Sequence, residues 1–403
     1  MAVEFSYLTP ELPGTGGILR RSIDDFRVDE VPLYEASGEG EHVYLRIRKR
    51  GVSTFEAIRR LAQELDVPER AVGYAGLKDA RAVTTQWLSV CGTDEERVAA
   101  LAVPRIEVLD VRRHGNKLRA GHLRGNRFSI VVHEAEPGAY DRAARILDVL
   151  VSRGVPNYFG EQRFGSHGTT HLYGEAIVRR DYETFVKRVV GGVPETERDA
   201  QMAAARRLFN AGRLQEAYEA IPMRRRAEKK CLHALLRFGD PERAHFAIPK
   251  RMRQIYVSSF QSWLFNRLLD RRMPRIDRLL SGDVAYVHRT TRVFSVEDAA
   301  AEQLLCRGFE ISPSGPLFGT RTPRPEGEPG RMEQELLAET GLQRGDFRVG
   351  GGLNLKGVRR SLRIPLKEVV LTPRDATSFG VEFELPGGCF ATVVLREIVK
   401  AEA

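Results

Sequence analysis

Apolar and polar residues alternate through Val43, Leu45 and Ile47. That period of two predicts a half-buried strand. Its other face carries Arg46 and Arg48, with Lys49 and Arg50 close by, a basic face turned to phosphates or to water. The period then changes. Residues 53–56 read Ser-Thr-Phe-Glu, the spacing of a capping box. Phe55, Ile58, Ala62 and Leu65 follow at helical intervals until Pro68. Residues 82–90 mix β-branched and aromatic side chains and predict another strand. Between these elements Gly73 and Gly76 loosen the backbone, and Lys78 and Asp79 fall on a tight turn. Aspartate is common in turns for purely local reasons. A charged residue held between two packed elements also suits catalysis.

Downstream the pattern predicts five further features. Residues 111–133 form a basic loop with Lys117, Arg119, Arg124 and Arg127, a turn at Gly125-Asn126, and then a strand. Residues 141–151 form an amphipathic helix with Ala143, Ile146, Leu147 and Leu150 on one face, stopped at Gly154. From about residue 180 the texture turns helical and basic, and residues 256–272 make a helix faced by Phe260, Leu264 and Leu268. Residues 312–330 are rich in Gly and Pro and read as loop. Alternation returns after about residue 345. A Pro-Gly-Gly turn follows Phe383 and Leu385, and residues 392–398 look strand-like.

Composition narrows the class. A chain of 403 residues exceeds one core, so two domains are expected. The net charge of +9 favours an acidic partner. Residues 201–255 hold 13 Lys/Arg against 5 Asp/Glu, a surplus of 8. Such clustering suits phosphate-backbone binding or a solvated face. Cys91, Cys231, Cys306 and Cys389 stand singly, which argues against a disulfide framework or a cysteine zinc site and fits a reducing compartment. No signal-peptide pattern or membrane-spanning run is read. Gly14, Gly16 and Gly17 miss the dinucleotide fingerprint, because Leu19 stands in the last glycine's place. His167 and His171 are four apart but read as surface histidines. Residues 154–165, GVPNYFGEQRFG, place flat rings and amides on glycine-flanked backbone, either a base pocket or a broken piece of aromatic core.

Three of these strings resemble one family. GYAGLKDARAVTTQW, VPNYFGEQRFG and LPGGCFATVVLRE, in that order, are similar to signatures of the TruD family of tRNA pseudouridine synthases. SSFQSWLFN in the helix of residues 256–272 adds to the likeness. The resemblance implies an α+β fold, with a catalytic domain of mixed, largely antiparallel sheet flanked by helices. An inserted α/β TRUD domain interrupts it. The implied boundaries are 1–180 and 346–403 for the two catalytic parts and 181–345 for the insert. It further implies that Asp79 is the catalytic nucleophile and that Phe26, Asn157, Phe159 and Phe390 contact substrate. Phe159 would stack on the target base. The implied partner is tRNA, with uridine 13 of the D-arm as the family's usual target. The chain is expected to act as a cytoplasmic monomer with no membrane, metal or cofactor.

The chemistry agrees with that inventory. Pseudouridine formation breaks N1–C1′, turns the base and rejoins it through C5, which needs an ionised carboxylate and no redox group; attack on the sugar carbon, attack on the base and removal of a sugar proton are all open to that carboxylate. A positive partner would suit the carboxylate in a dry pocket. Lys78 is adjacent, but neighbours on extended backbone point apart. Arg20, at the family's basic position, is the expected ion-pair partner, although arginine stands where the family has lysine. A competing reading is an RNA-binding or RNA-folding protein with little catalysis. A metal-dependent nuclease would need a carboxylate cluster that the sequence lacks.

Overall fold

The first predicted strand forms as His42–Arg50 and lies between two partners, Val83–Cys91 and Ile106–His114. Val43, Leu45 and Ile47 are fully buried. Strand parity puts Lys49 on their face, and it is fully buried too, which corrects its place on the exposed basic side. Arg48 does face outward, paired with Glu107 at 3.0 Å. The computed structural model describes residues 5–353 and 355–400. The chain divides into two units: Leu8–Val155 with the segment from Ile364 onward, and Pro156–Arg363 with the residues up to Tyr7. The sequence had suggested boundaries at 180/181 and 345/346. The two units of the structure meet at 155/156 and 363/364, and Asn157 and Phe159 belong to the second of them.

The first unit is built on a nine-stranded sheet. Its main path runs Lys367–Asp375, Ser378–Pro386, Leu123–His133, Phe26–Pro32, Val83–Cys91, His42–Arg50 and Ile106–His114. Phe26–Pro32 pairs in parallel with Val83–Cys91, and the other pairings are antiparallel. Helix Thr54–Glu64 starts where predicted, with Ser53 Oγ accepting the Glu56 N–H at 3.2 Å. Its buried face is Ala57, Ile58, Leu61 and Ala62; Phe55 is exposed, and its ring meets Tyr74 edge-on.

Two expectations in this unit fail for physical reasons. Gly125-Asn126 is no turn but lies inside strand Leu123–His133. The glycine is there because a Cβ would sit 2.4 Å from the Leu385 carbonyl oxygen of the neighbouring strand. Residues 392–398 belong to helix Ala391–Val399, not to a strand. Ala391, Val394, Leu395 and Ile398 repeat at helical spacing and are all buried. This helix packs on Ala139–Arg153, the helix predicted at residues 141–151. Burial along one face outweighs the strand preference of two valines.

The second unit is organised around helix Lys250–Arg272, on which Thr170–Arg179 packs. A four-stranded antiparallel sheet runs Val293–Ser295, Val284–Val287, Ile311–Leu317 and Val358–Ser361. The stretch expected as loop at 312–330 therefore opens as a strand and closes in helix Gly327–Glu339. The basic region is helical as expected, with Ala200–Asn210, Leu214–Ala220, Arg226–Phe238 and Pro241–Ala247.

Candidate functional site

In the first unit the turn after Val72–Tyr74 sends consecutive side chains in opposite directions. Lys78 points inward: its Nζ meets Glu30 Oε2 at 2.7 Å, and the two side chains are 3% and 1% exposed. The other Glu30 oxygen accepts the Trp87 N–H at 3.1 Å. Thr54 Oγ accepts the Lys78 N–H at 2.9 Å and donates to Gln86 Oε1 at 3.0 Å. Gln86 Nε2 in turn donates to the Gly76 carbonyl at 3.3 Å. The turn is thus fastened from beneath through backbone and side chain alike.

Asp79 points outward, where Arg20 Nη2 donates to its Oδ2 at 2.9 Å. Its side chain is 45% exposed, so the carboxylate is not dry in the free protein, as the chemistry had suggested it should be. Arg20 is held in turn by Phe26, whose ring lies 4.0 Å from the guanidinium carbon. Phe26 itself is buried, so it is a platform beneath Arg20 rather than an open contact surface. Arg20 has φ of +59°, a left-handed conformation rare for a non-glycine residue. The following acidic pair braces that bend. Asp25 accepts the Ser22 N–H and pairs with His133 Nε2 at 3.0 Å, while Asp24 pairs with Arg50. Phe390 is exposed at the start of helix Ala391–Val399.

The second unit brings Asn157 and Phe159 together. The Asn157 side chain is buried and engaged: Nδ2 donates to the Ser361 carbonyl at 2.8 Å, and Oδ1 accepts from Arg360. The amide therefore orients Arg360 rather than standing open for a base edge. Arg360 lies 4.3 Å above the Phe159 ring. Asn266 clamps the Phe159 backbone, accepting its N–H and donating to its carbonyl, both at 2.9 Å. Phe265 meets the Phe159 ring edge-on. The result is a half-buried ring on a fixed backbone, with a cation on it.

Sequence reasoning missed Lys49, Arg360 and Asn266. Only Lys49 carried a signal, its parity with Val43, Leu45 and Ile47. Arg360 and Asn266 reach the site from 203 and 107 residues away, distances that no local pattern reports. The histidine expectation is also corrected. His171 is buried, stacked on Trp263, and burial takes its imidazole down to about 4. The basic segment is partly neutralised by acids that precede it: Arg206 and Arg225 pair with Glu197 at 3.2 and 3.1 Å, and Arg224 pairs with Asp199. Among the described residues no group of three or more His, Cys, Asp or Glu is placed to hold a metal ion. Among them, too, no helix is long and apolar enough to cross a membrane.

Comparison with known proteins covers the same span. The family model for tRNA pseudouridine synthase D (TruD) matches residues 2–398. A protein of Syntrophotalea carbinolica named tRNA pseudouridine synthase D is 43% identical over 397 residues, covering 98% of this chain and 99% of its own. A relative of the same name from Geotalea daltonii is 45% identical over 396 residues, with 98% and 99% covered. Among solved structures, a putative tRNA pseudouridine synthase D from Methanosarcina mazei superposes with a TM-score of 0.88 at 28% identity. That match covers 98% of this chain and 96% of the other. The α+β architecture is therefore shared over nearly the whole chain.

Proposed function

The chain belongs to the TruD family of tRNA pseudouridine synthases, an isomerase family, and from that premise we propose that it converts uridine 13 in the tRNA D-arm to pseudouridine. Asp79 is the nucleophile. The carrying observation is the Asp79 carboxylate itself, set outward on a turn fastened from below and met by Arg20 at 2.9 Å. In the reaction N1–C1′ breaks and C5–C1′ forms. C5 loses a proton and N1 gains one, so atoms and electrons balance without a second substrate. Asp79 forms a bond to the substrate and is released when the carbon–carbon bond closes. Bound RNA covers the half-exposed turn and removes its water. The same reading makes this a cytoplasmic monomer that needs no cofactor.

The target uridine has to leave its stack, which costs a few kcal/mol. Phe159 offsets that cost by stacking on the extruded base, and Phe390 gives a second apolar contact. Asn157 acts through Arg360, which it orients over the Phe159 ring. Phe159→Ala removes a stacking surface worth about 1–3 kcal/mol per base. It is expected to lower kcat/KM on tRNA by roughly 10- to 100-fold. Activity within twofold of wild type would remove Phe159 from the base site.

Carbodiimide-stop sequencing of tRNA incubated with the purified protein tests the target. A new stop at uridine 13 is the expected result. An unmodified uridine 13 in every tRNA of the source organism would exclude that position.

A further inference from the structure

We propose that Lys49 is a positioning residue of this reaction, a buried ammonium that clamps the backbone of the Lys78–Asp79 turn and sets a positive charge beneath the Asp79 carboxylate. The inference rests on Asp79 being the nucleophile. Lys49 Nζ donates to the carbonyls of Val52 at 2.6 Å, Asp79 at 3.0 Å and Lys78 at 3.4 Å. Three donors thus meet three backbone acceptors. The residue is fully buried, and none of the ion pairs among the described residues includes it. A buried ammonium without a carboxylate partner is costly. The same turn is already fastened by Thr54, by Gln86 and by the Lys78–Glu30 pair, none of which leaves a net charge. Anchoring alone does not require a cation at position 49, and a second fixed cation beside Arg20 serves the chemistry at Asp79.

Asp79 loses its negative charge when it bonds to the substrate and regains it when it leaves. A fixed cation below the turn stabilises the departing carboxylate, and it is in place before the reaction begins. The ionisable groups facing Lys49 are Asp79, which favours its charged form, and Lys78, which disfavours it and is matched by Glu30. Burial is the largest influence and takes the Lys49 amine from 10.5 down to about 8. The charge is therefore present below about pH 8 and lost above it. Turnover falls as pH rises through that point. Folding stability moves the other way: between about 8 and 10.5 the unfolded chain binds more protons, so this group's contribution to stability rises with pH.

Single-turnover rates on tRNA, measured from pH 6 to 10 on the full chain, test the proposal. Wild type should lose rate above about pH 8. Lys49→Met should fold, bind tRNA within a few-fold of wild type, react roughly 10- to 100-fold more slowly and lack that alkaline fall. Lys49→Arg, always charged, should also lack the fall. A Lys49→Met protein with wild-type rate and pH profile overturns the inference. If Lys49→Met does not fold, a fall near pH 8 in wild type that Lys49→Arg also shows overturns it, and a fall that Lys49→Arg lacks upholds it. Turnover by Asp79→Asn would instead remove the nucleophile assignment. A dead Asp79→Asn beside a fully active Lys49→Met removes only the role of Lys49.

Discussion

Asp79→Asn should reduce pseudouridine formation by at least about 10⁴-fold, the scale seen when an enzyme loses its nucleophile. The substitution changes one atom and keeps an acceptor for Arg20, now at 2.9 Å from the carboxylate. The fastenings of the turn go to the backbone of residues 76–79 and to the side chain of Lys78, so they persist. What disappears is the negative charge, and a neutral amide neither attacks nor leaves as a carboxylate does. Binding of tRNA should stay within a few-fold, because phosphate contacts dominate affinity. Single-turnover rates and filter-binding titrations of the same preparation separate the two effects. A residual rate within 100-fold of wild type would place the essential carboxylate elsewhere. Equal rescue of a deletion strain by wild type and Asp79→Asn would favour a protein whose main task is binding or folding RNA.

The candidate site was legible where chemistry depends on residue type and obscure where it depends on contact. The sequence points to Asp79 and Arg20, and the structure sets them within hydrogen-bond reach although they are 59 residues apart. Phe26 was singled out as a ring, but only its burial under Arg20 shows that it supports a cation in the free protein. Asn157 was singled out as a hydrogen-bonder, yet its partners Ser361 and Arg360 come from a strand far along the chain. The fold follows the same division. Strand His42–Arg50 and helix Ala139–Arg153 were visible because each buries one regular face. Helix Ala391–Val399 was hidden because its valines favour strands in isolation, while its buried face is set by the helix it packs on. Gly125 is ambiguous in the sequence because a glycine that permits a turn and one that permits a close strand look alike until the neighbouring carbonyl is placed.

The turn beneath the carboxylate predicts the second large effect, on stability. Lys78 and Glu30 form an ion pair of 2.7 Å with almost no solvent contact. Lys78→Met keeps the length of the side chain and removes its charge. It leaves the Glu30 carboxylate buried with only the Trp87 N–H among its named donors. Breaking one half of such a pair costs about 3–5 kcal/mol. The urea midpoint of the first unit, followed by circular dichroism, should fall accordingly. Adding Glu30→Gln removes the stranded charge and preserves the acceptor for Trp87. The double variant should recover to within about 1–2 kcal/mol of wild type, since replacing both partners of a buried pair is often close to neutral. A single variant as stable as wild type would mean that water reaches Glu30. A double variant as unstable as the single would mean that the lysine's packing, rather than its charge, holds the turn. The recovered double variant also isolates a kinetic question, because its turn keeps the Lys49, Thr54 and Gln86 fastenings while losing the ionic one. Turnover near wild type in that protein would assign the ion pair to stability alone. A deficit at full stability would show that the pair also fixes the direction in which Asp79 faces.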